Sequence, residues 1–358
     1  MRVTTVAATA GQLRGGPGRE VWDLGVYNSL IRWGNGDVRP AKAEVQWRAG
    51  VRRAARAIGR AGRTSSRYRS SQVARRLSDL AQVRVFDVHP ATEVLYGNIT
   101  FPVARGRRLP VLWSTQGVVE AAGVRFPDES ARTHAHLIDR AAVTQCWSRH
   151  GLDGLLARQP MLDVSRVHVV PPLVYVELPD PWPRSGTDVE ALFVGVHGRL
   201  KGLDAVIDAM RGVGAGLRLA VVTADPPPGD LPSNVTWLGP RPRTEVLARL
   251  RSTDIHLFPS QVESFGVVTL EAMAAGVAQI VDRSGVPYEV AGASAEAVDG
   301  ADPSDVRRAL ELLAGDAARR AQLGAAGATR YATTYAPAVV GPAIAALVEL
   351  AAQTCSGG

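Results

Sequence analysis

The sequence predicts an α/β protein made of two doubly wound parallel sheets that face a central cleft. Short apolar runs of strand length alternate with helical stretches almost throughout, the pattern of parallel βαβ units. The alternation restarts after Leu178-Pro-Asp-Pro-Trp-Pro-Arg-Ser-Gly186, whose three prolines make a stiff connector. A chain of 358 residues also exceeds one comfortable core. The expected division is a first unit over 1–176, a linker over 177–187, a second unit over 188–335, and a C-terminal helical segment over 336–358 packing back on the first unit.

The first unit opens with a strand over 3–8, the loop Gly15-Gly16-Pro17-Gly18 and a helix over 19–32. Such a loop lets a phosphate or sugar approach the backbone, although a plain tight turn has the same composition. Further strands are expected over 83–88, 109–114, 142–148 and 167–170. In the second unit they fall over 191–195, 218–223, 235–238, 255–258 and 278–282. Helices over 202–210, 244–250 and 265–274 alternate with them, and helices over 303–313, 317–331 and 339–352 close the chain. Ligands of open parallel sheets bind at the C-terminal strand ends, so His89 and His197, each just after a strand, are placed at the cleft.

Composition narrows the class. A hydrophobic fraction of 46% with 21% charged residues fits a packed globular chain, not a disordered one. No uninterrupted apolar run reaches the ~18 residues of a membrane span, and the N-terminus turns to glycine too early for a signal segment. Two cysteines, Cys146 and Cys355, argue against a disulfide framework, so a cytoplasmic setting is expected. The seven histidines lack metal spacing and no acid cluster suggests an obligate cation, so neither a metal nor a resident cofactor is expected. Residues 1–176 carry 26 Arg and Lys against 13 Asp and Glu, a balance of +13, whereas the remainder balances at −6. That asymmetry suits an anionic partner for the first half, and codon bias toward Arg explains it equally well.

The most informative string is Pro259-Ser-Gln-Val-Glu263-Ser-Phe-Gly-Val-Val-Thr-Leu-Glu271-Ala-Met-Ala-Ala-Gly276. A strand ends, a turn carries Glu263, and a helix begins whose unpaired amides and positive dipole end suit a diphosphate. Glu271 lies two helical turns further on. Ionised carboxylates on either side of a phosphate can accept hydrogen bonds from sugar and ribose hydroxyls.

This string resembles the Glu-x7-Glu signature of retaining GT-B glycosyltransferases of family 4. The resemblance extends to Val194-Gly195 with Lys201-Gly202, Trp237-Leu-Gly-Pro-Arg241, Ser284-Gly-Val-Pro-Tyr-Glu-Val290 and Val167-His-Val-Val-Pro-Pro172. It implies two Rossmann-like domains and a nucleoside-diphosphate sugar as co-substrate. Glu263 would hold hydroxyls of the transferred sugar, with the amides of Ser264, Phe265 and Gly266 beside it. Glu271 would bind the ribose, Val267 and Val268 would present amides to the diphosphate, and the turn Gly239–Arg243, with Gly239 and Arg241, would flank the base. Lys201 matches a phosphate-binding lysine. Gly15 and Gly16 resemble the family's first glycine loop, Gly16 toward the donor and Gly15 toward the acceptor. The family's arginine after Val-Gly is Val196 here, and Arg199 is the expected replacement. Gln116 stands where His is usual, so the acceptor side is altered there.

The implied activity is retaining transfer of a sugar to a small-molecule, glycan or lipid acceptor. Ten Arg and no acid occur over 47–77, with Arg48, Arg52, Arg56, Arg60, Arg63 and Arg67 on one helical stripe. Such a stripe fits peripheral contact with an anionic inner-membrane face, an anionic acceptor or a solvated arm. The rival reading is a non-catalytic transferase scaffold that docks the stripe on membrane or nucleic acid. Nucleic acid is the less expected partner.

Overall fold

The computed structural model describes residues 3–6, 39–40, 83–86, 94–98, 101–104, 108–115, 117, 128–184, 186–227 and 229–354. The 15–18 loop, the 19–32 helix, His89, Gln116 and the arginine stripe lie outside the described residues.

In the first unit the strands are β1 (Val3–Val6), β2 (Arg39–Pro40), β3 (Val83–Phe86), β4 (Val94–Asn98), β5 (Phe101–Ala104), β6 (Val111–Thr115), β7 (Val143–Cys146) and β8 (Val167–Val169). Six of them form one parallel sheet in the order β2-β1-β4-β6-β7-β8, and β3 pairs with β5. Two described helices, α1 (Asp128–Arg140) and α2 (Arg149–Arg158), accompany them. Gly117, at φ +71°, brings the loop after β6 so near α2 that an added Cβ would lie 2.3 Å from the Gly151 carbonyl oxygen.

The second unit contains β9 (Val189–Val194), α3 (Leu203–Met210), β10 (Leu217–Val222), β11 (Val235–Trp237), α4 (Arg243–Leu250), β12 (Ile255–Phe258), α5 (Val267–Ala274), β13 (Ala278–Asp282), α6 (Val286–Ala291) and β14 (Ala295–Val298). The chain then runs through α7 (Pro303–Gly315), α8 (Ala317–Arg330) and α9 (Pro337–Gln353). The sheet is parallel in the order β11-β10-β9-β12-β13-β14. Its winding reverses between β9 and β12, the point at which doubly wound sheets open a ligand crevice.

Both faces of this sheet are covered, which is why β12 and β13 are buried along their whole length. On one face Phe193, Leu219, Leu257 and Ile280 pack with Val206 of α3 and Leu310 of α7. On the other, Leu192 and Val222 pack with Val246 and Leu250 of α4 and Ala272 of α5. A third cluster joins the units, with Trp147 and Val174 packed among Phe265, Leu270, Met273 and Val286. Across the same junction, the Glu289 carboxylate accepts the Arg149 and His150 amides at 2.7 and 2.8 Å, satisfying the N-terminal turn of α2.

The connector is strapped to the second unit. The Trp182 amide donates to the Ala248 carbonyl at 2.9 Å, and the Arg249 guanidinium lies 4.2 Å over the Trp182 ring. Beyond α8, α9 seats Val340, Ile344 and Val348 on Val94, Tyr96, Leu112 and Val143 of the first sheet. The run Ala317–Gln353 contains an 18-residue window of mean hydropathy 1.6, long and apolar enough to cross a membrane by composition. No apolar run within it is uninterrupted for that length, and α9 packs Val340, Ile344, Leu347 and Val348 into the core while Val339 and Leu350 stay exposed.

Candidate functional site

The loops after β9 and β12 meet at the winding reversal. Gly202, at φ +85°, closes the first of them against the end of β12, where an added Cβ would stand 2.6 Å from the Pro259 carbonyl oxygen. That contact seats the short 3-10 turn Arg199–Lys201 beside the turn that carries Glu263. Between the loops opens a cavity of about 380 Å³, lined by residues that include Val194, Val196, His197, Lys201, Phe258, Glu263 and Glu271.

At one end the Lys201 ammonium lies 2.8 Å from Glu263 Oε2 and donates to the Val262 carbonyl at 2.7 Å. Glu263 Oε1 accepts from the Ser264 amide at 2.8 Å and the Phe265 amide at 3.4 Å. These two amides are therefore directed at the Glu263 carboxylate itself. Immediately afterwards Gly266, at φ +78°, starts α5, and no side chain caps the helix. The first-turn amides of Val267 and Val268 belong to an uncapped, positively polarised helix end whose residues line the cavity.

At the other end Glu271 is almost fully buried. Burial pushes its carboxyl above the usual carboxylate range, and the Arg243 guanidinium opposes that push. Arg243 Nε donates to Glu271 Oε1 at 2.7 Å, while its Nη2 donates to the Tyr175 carbonyl at 2.8 Å. Arg243 is the first residue of α4, and the sequence reading named it only as the end of the turn flanking the base. Its pairing with a residue 28 positions away leaves no local signal.

Of the residues read from the sequence, Lys201, Glu263, Ser264, Gly266, Val267, Val268, Glu271 and Arg241 come together around the cavity. Arg241 is tied back to Glu245 at 3.3 Å. Gly239, at φ +69°, shapes the turn before it. The Phe265 side chain is buried in the junction core, its ring 6.2 Å from that of Tyr335, so it anchors the turn.

Arg199 is a correction. It does not line the cavity; its side chain is exposed and lies 4.0 Å from Asp204. Successive side chains of a 3-10 turn are about 120° apart, so Arg199 and Lys201 cannot share a direction. The cavity wall at Val196 thus has an apolar residue and no arginine in its place. Gly15, Gly16, His89 and Gln116 lie outside the described residues. Among the described residues no trio of His, Cys, Asp or Glu is grouped to hold a metal.

A parallel sheet with a crevice at its winding reversal, an uncapped helix end and two lining carboxylates defines an α/β ligand-binding protein of the nucleotide-site type. The family model "Glycosyl transferases group 1" matches residues 230–330, which carry both acids. A D-inositol 3-phosphate glycosyltransferase 1 of Catenulispora acidiphila is 30% identical over 290 residues, 70% of this chain and 69% of that protein. The chain belongs to the group 1 glycosyltransferase family. A D-inositol 3-phosphate glycosyltransferase of Corynebacterium kroppenstedtii is 39% identical over 103 residues, 28% of this chain and 23% of that protein. The first relatives, this one included, are spanned over only 23% to 30% of their length. The crystal structure of Anabaena HepE in complex with UDP and glucose is similar over 100% of both chains, with a TM-score of 0.66 at 13% identity, a likeness of fold.

Proposed function

We propose that this chain transfers a sugar from a nucleoside-diphosphate sugar to an acceptor held mainly by the first unit, with retention of anomeric configuration as in family 4. The observation that carries this reading is the cavity in which Glu263 and Glu271 flank the uncapped start of α5, with Lys201 against Glu263. In this reading Glu271 accepts hydrogen bonds from the ribose, and Val267 and Val268 present amides to the diphosphate. Lys201 stabilises the departing phosphate oxygens without help from Arg199. Glu263 must exchange part of its present hydrogen bonding for sugar hydroxyls, and Lys201 is free to follow the diphosphate when it does.

Among the described residues, no further carboxylate lines the cavity beside these two. We therefore favour front-face attack, in which the acceptor oxygen bonds to the anomeric carbon as the phosphate bond breaks. The acceptor's proton passes to the departing phosphate. No resident cofactor or metal is invoked, and the proposed setting is cytoplasmic, consistent with Cys146 as a free, buried thiol. Family membership and the assembled acid pair favour an enzyme over a non-catalytic scaffold.

The test is mass spectrometry of products formed from uridine, guanosine, adenosine and thymidine diphosphate sugars with an acceptor panel. A glycosylated product that disappears in Glu263→Ala is expected. Product formation unaffected in both Glu263→Ala and Glu271→Ala would remove the assignment.

A further inference from the structure

Arg243 lies at the entrance of α4 and is tied to two different parts of the molecule. One end of its guanidinium donates to Glu271 Oε1 at 2.7 Å, and the other donates to the Tyr175 carbonyl at 2.8 Å, in the segment leaving the first unit. Glu271 is 7% exposed at the side chain and Arg243 28%, so the pair is shielded on the carboxylate side and open on the cavity side. A carboxylate so buried without a cation would favour its neutral, protonated form and would offer a hydroxyl where an acceptor is needed.

We infer that Arg243 is a positioning residue for nucleotide recognition: clamped on Tyr175, it holds Glu271 ionised and aimed into the cavity so that the carboxylate accepts hydrogen bonds from ribose hydroxyls. This inference rests on the cavity being a nucleoside-diphosphate site. The fork geometry matters as much as the charge, because only a guanidinium reaches a carboxylate and a carbonyl at once from a fixed plane. The other ionisable groups near Glu271 do not replace it. Tyr331, on the turn Tyr331–Tyr335, is itself pushed upward by burial, so it stays neutral. Lys201 and Glu263 are paired with each other, and Arg241 is turned to Glu245. His197, on the loop after β9, also lines the cavity.

The experiment compares ribose with dideoxyribose. Binding of UDP, GDP and ADP, and of the 2′,3′-dideoxy form of each, is measured by calorimetry on wild type, Arg243→Met, Arg243→Lys and Glu271→Gln. For a nucleotide that wild type binds, Arg243→Met should weaken the ribo form about tenfold at pH 7 and leave the dideoxy form within about twofold, a tenfold change being ~1.4 kcal/mol. In Arg243→Met, affinity for the ribo form should fall at higher pH than in wild type as the buried carboxyl takes up its proton. Binding should be followed with the diphosphate sugar as well, whose phosphates do not titrate there. Arg243→Lys should restore part of the loss, and adding Arg243→Met to Glu271→Gln should cost nothing further. Equal weakening of ribo and dideoxy forms, with no change in the pH profile, would mean that Arg243 contacts phosphate or only supports the fold, and would overturn the inference. Failure of wild type to bind any of the three nucleotides, and thymidine diphosphate as well, would instead sink the reading of the cavity.

Discussion

The two ends of the cavity each pair a glutamate with a cation, yet they differ in burial and in the company they keep. At the Lys201 end the carboxylate is fed by backbone amides and a flexible ammonium, with side-chain exposures of 14% and 17%. At the Arg243 end the carboxylate is almost fully buried and its planar partner is clamped to the chain at Tyr175. The first arrangement can exchange partners at little cost because its lysine is a point charge on a rotatable stem. The second holds one geometry, since separating the pair would leave a buried charge without compensation. A site that must let a sugar react while keeping its nucleotide still needs one end of each kind.

The comparison is sharpened most by Lys201→Ala. If Lys201 stabilises charge on the departing diphosphate, turnover falls by about 10²–10³-fold, in the range seen when one such donor is removed. Steady-state kinetics with saturating donor checks this. Retention of wild-type turnover would break the assignment of roles between the two ends.

A second test uses the layer beneath both ends. His256 is fully buried on β12, its Nδ1 3.0 Å from Gln279 Oε1, and Gln279 in turn donates to the Thr269 carbonyl of α5. Burial pushes the His256 imidazole down to about 4 from 6.5. A histidine with a lowered folded value stabilises the protein fully above about pH 6.5, and that stability is lost as the pH falls from there through about 4. The loss amounts to at most about 3 kcal/mol. Denaturant titrations between pH 7 and 4 should show this slope, and His256→Gln should flatten it. Because α5 carries Glu271 and follows Glu263, acid acting through His256 loosens both ends together, whereas protonation of Glu271 affects only one.

Smaller effects separate the ends further. Ser264→Ala removes a 3.3 Å hydroxyl bond to Glu263 Oε1 that duplicates the amide bond from the same residue. It should change turnover by less than about threefold, consistent with a weak, redundant hydrogen bond. A large loss would show that the hydroxyl, and not the amide, orients Glu263. Smallest of all is Glu289→Gln, away from the cavity. It removes the charge from the α2 N-terminus and, because the glutamine nitrogen cannot accept, also one of the two amide hydrogen bonds, and should lower stability by about 1 kcal/mol in thermal melts.

Much of the second unit was legible because its signals are local. The apolar run Ile255–Phe258, the turn bearing Glu263 and the helix bearing Glu271 follow one another directly, so strand, turn and helix fall in place from one string. The helix starts at Val267, two residues later than the expected boundary, because Gly266 adopts a left-handed conformation just before it. Other elements carried too little pattern. β4, with Gly97 in a run of five residues, and β14, Ala-Glu-Ala-Val, are short and lack bulky branched runs, yet both pair as parallel strands. The helices α1 and α2 also went unread; α1 is rich in polar residues, and the N-terminal turn of α2 is satisfied partly by Glu289 from the other unit. Within the site, the Glu263–Glu271 spacing was readable, but the Arg243 pairing depends on folding α4 against α5. Arg199 was misplaced because proximity in sequence says nothing of direction around a tight turn. The acceptor-side candidates Gly15, His89 and Gln116, and the donor-side Gly16, lie outside the described residues.

The most direct measurement is calorimetry of uridine, guanosine, adenosine and thymidine diphosphates with wild type, Lys201→Ala and Glu271→Ala. One nucleotide should bind wild type at a single site, and Glu271→Ala should weaken it by about tenfold or more, ~1.4 kcal/mol. Lys201→Ala should weaken it as well and lose more for the diphosphate than for the corresponding nucleoside. If no nucleotide binds wild type, or if one binds with the same affinity in all three proteins, then the cavity between β9 and β12 is not a nucleotide site.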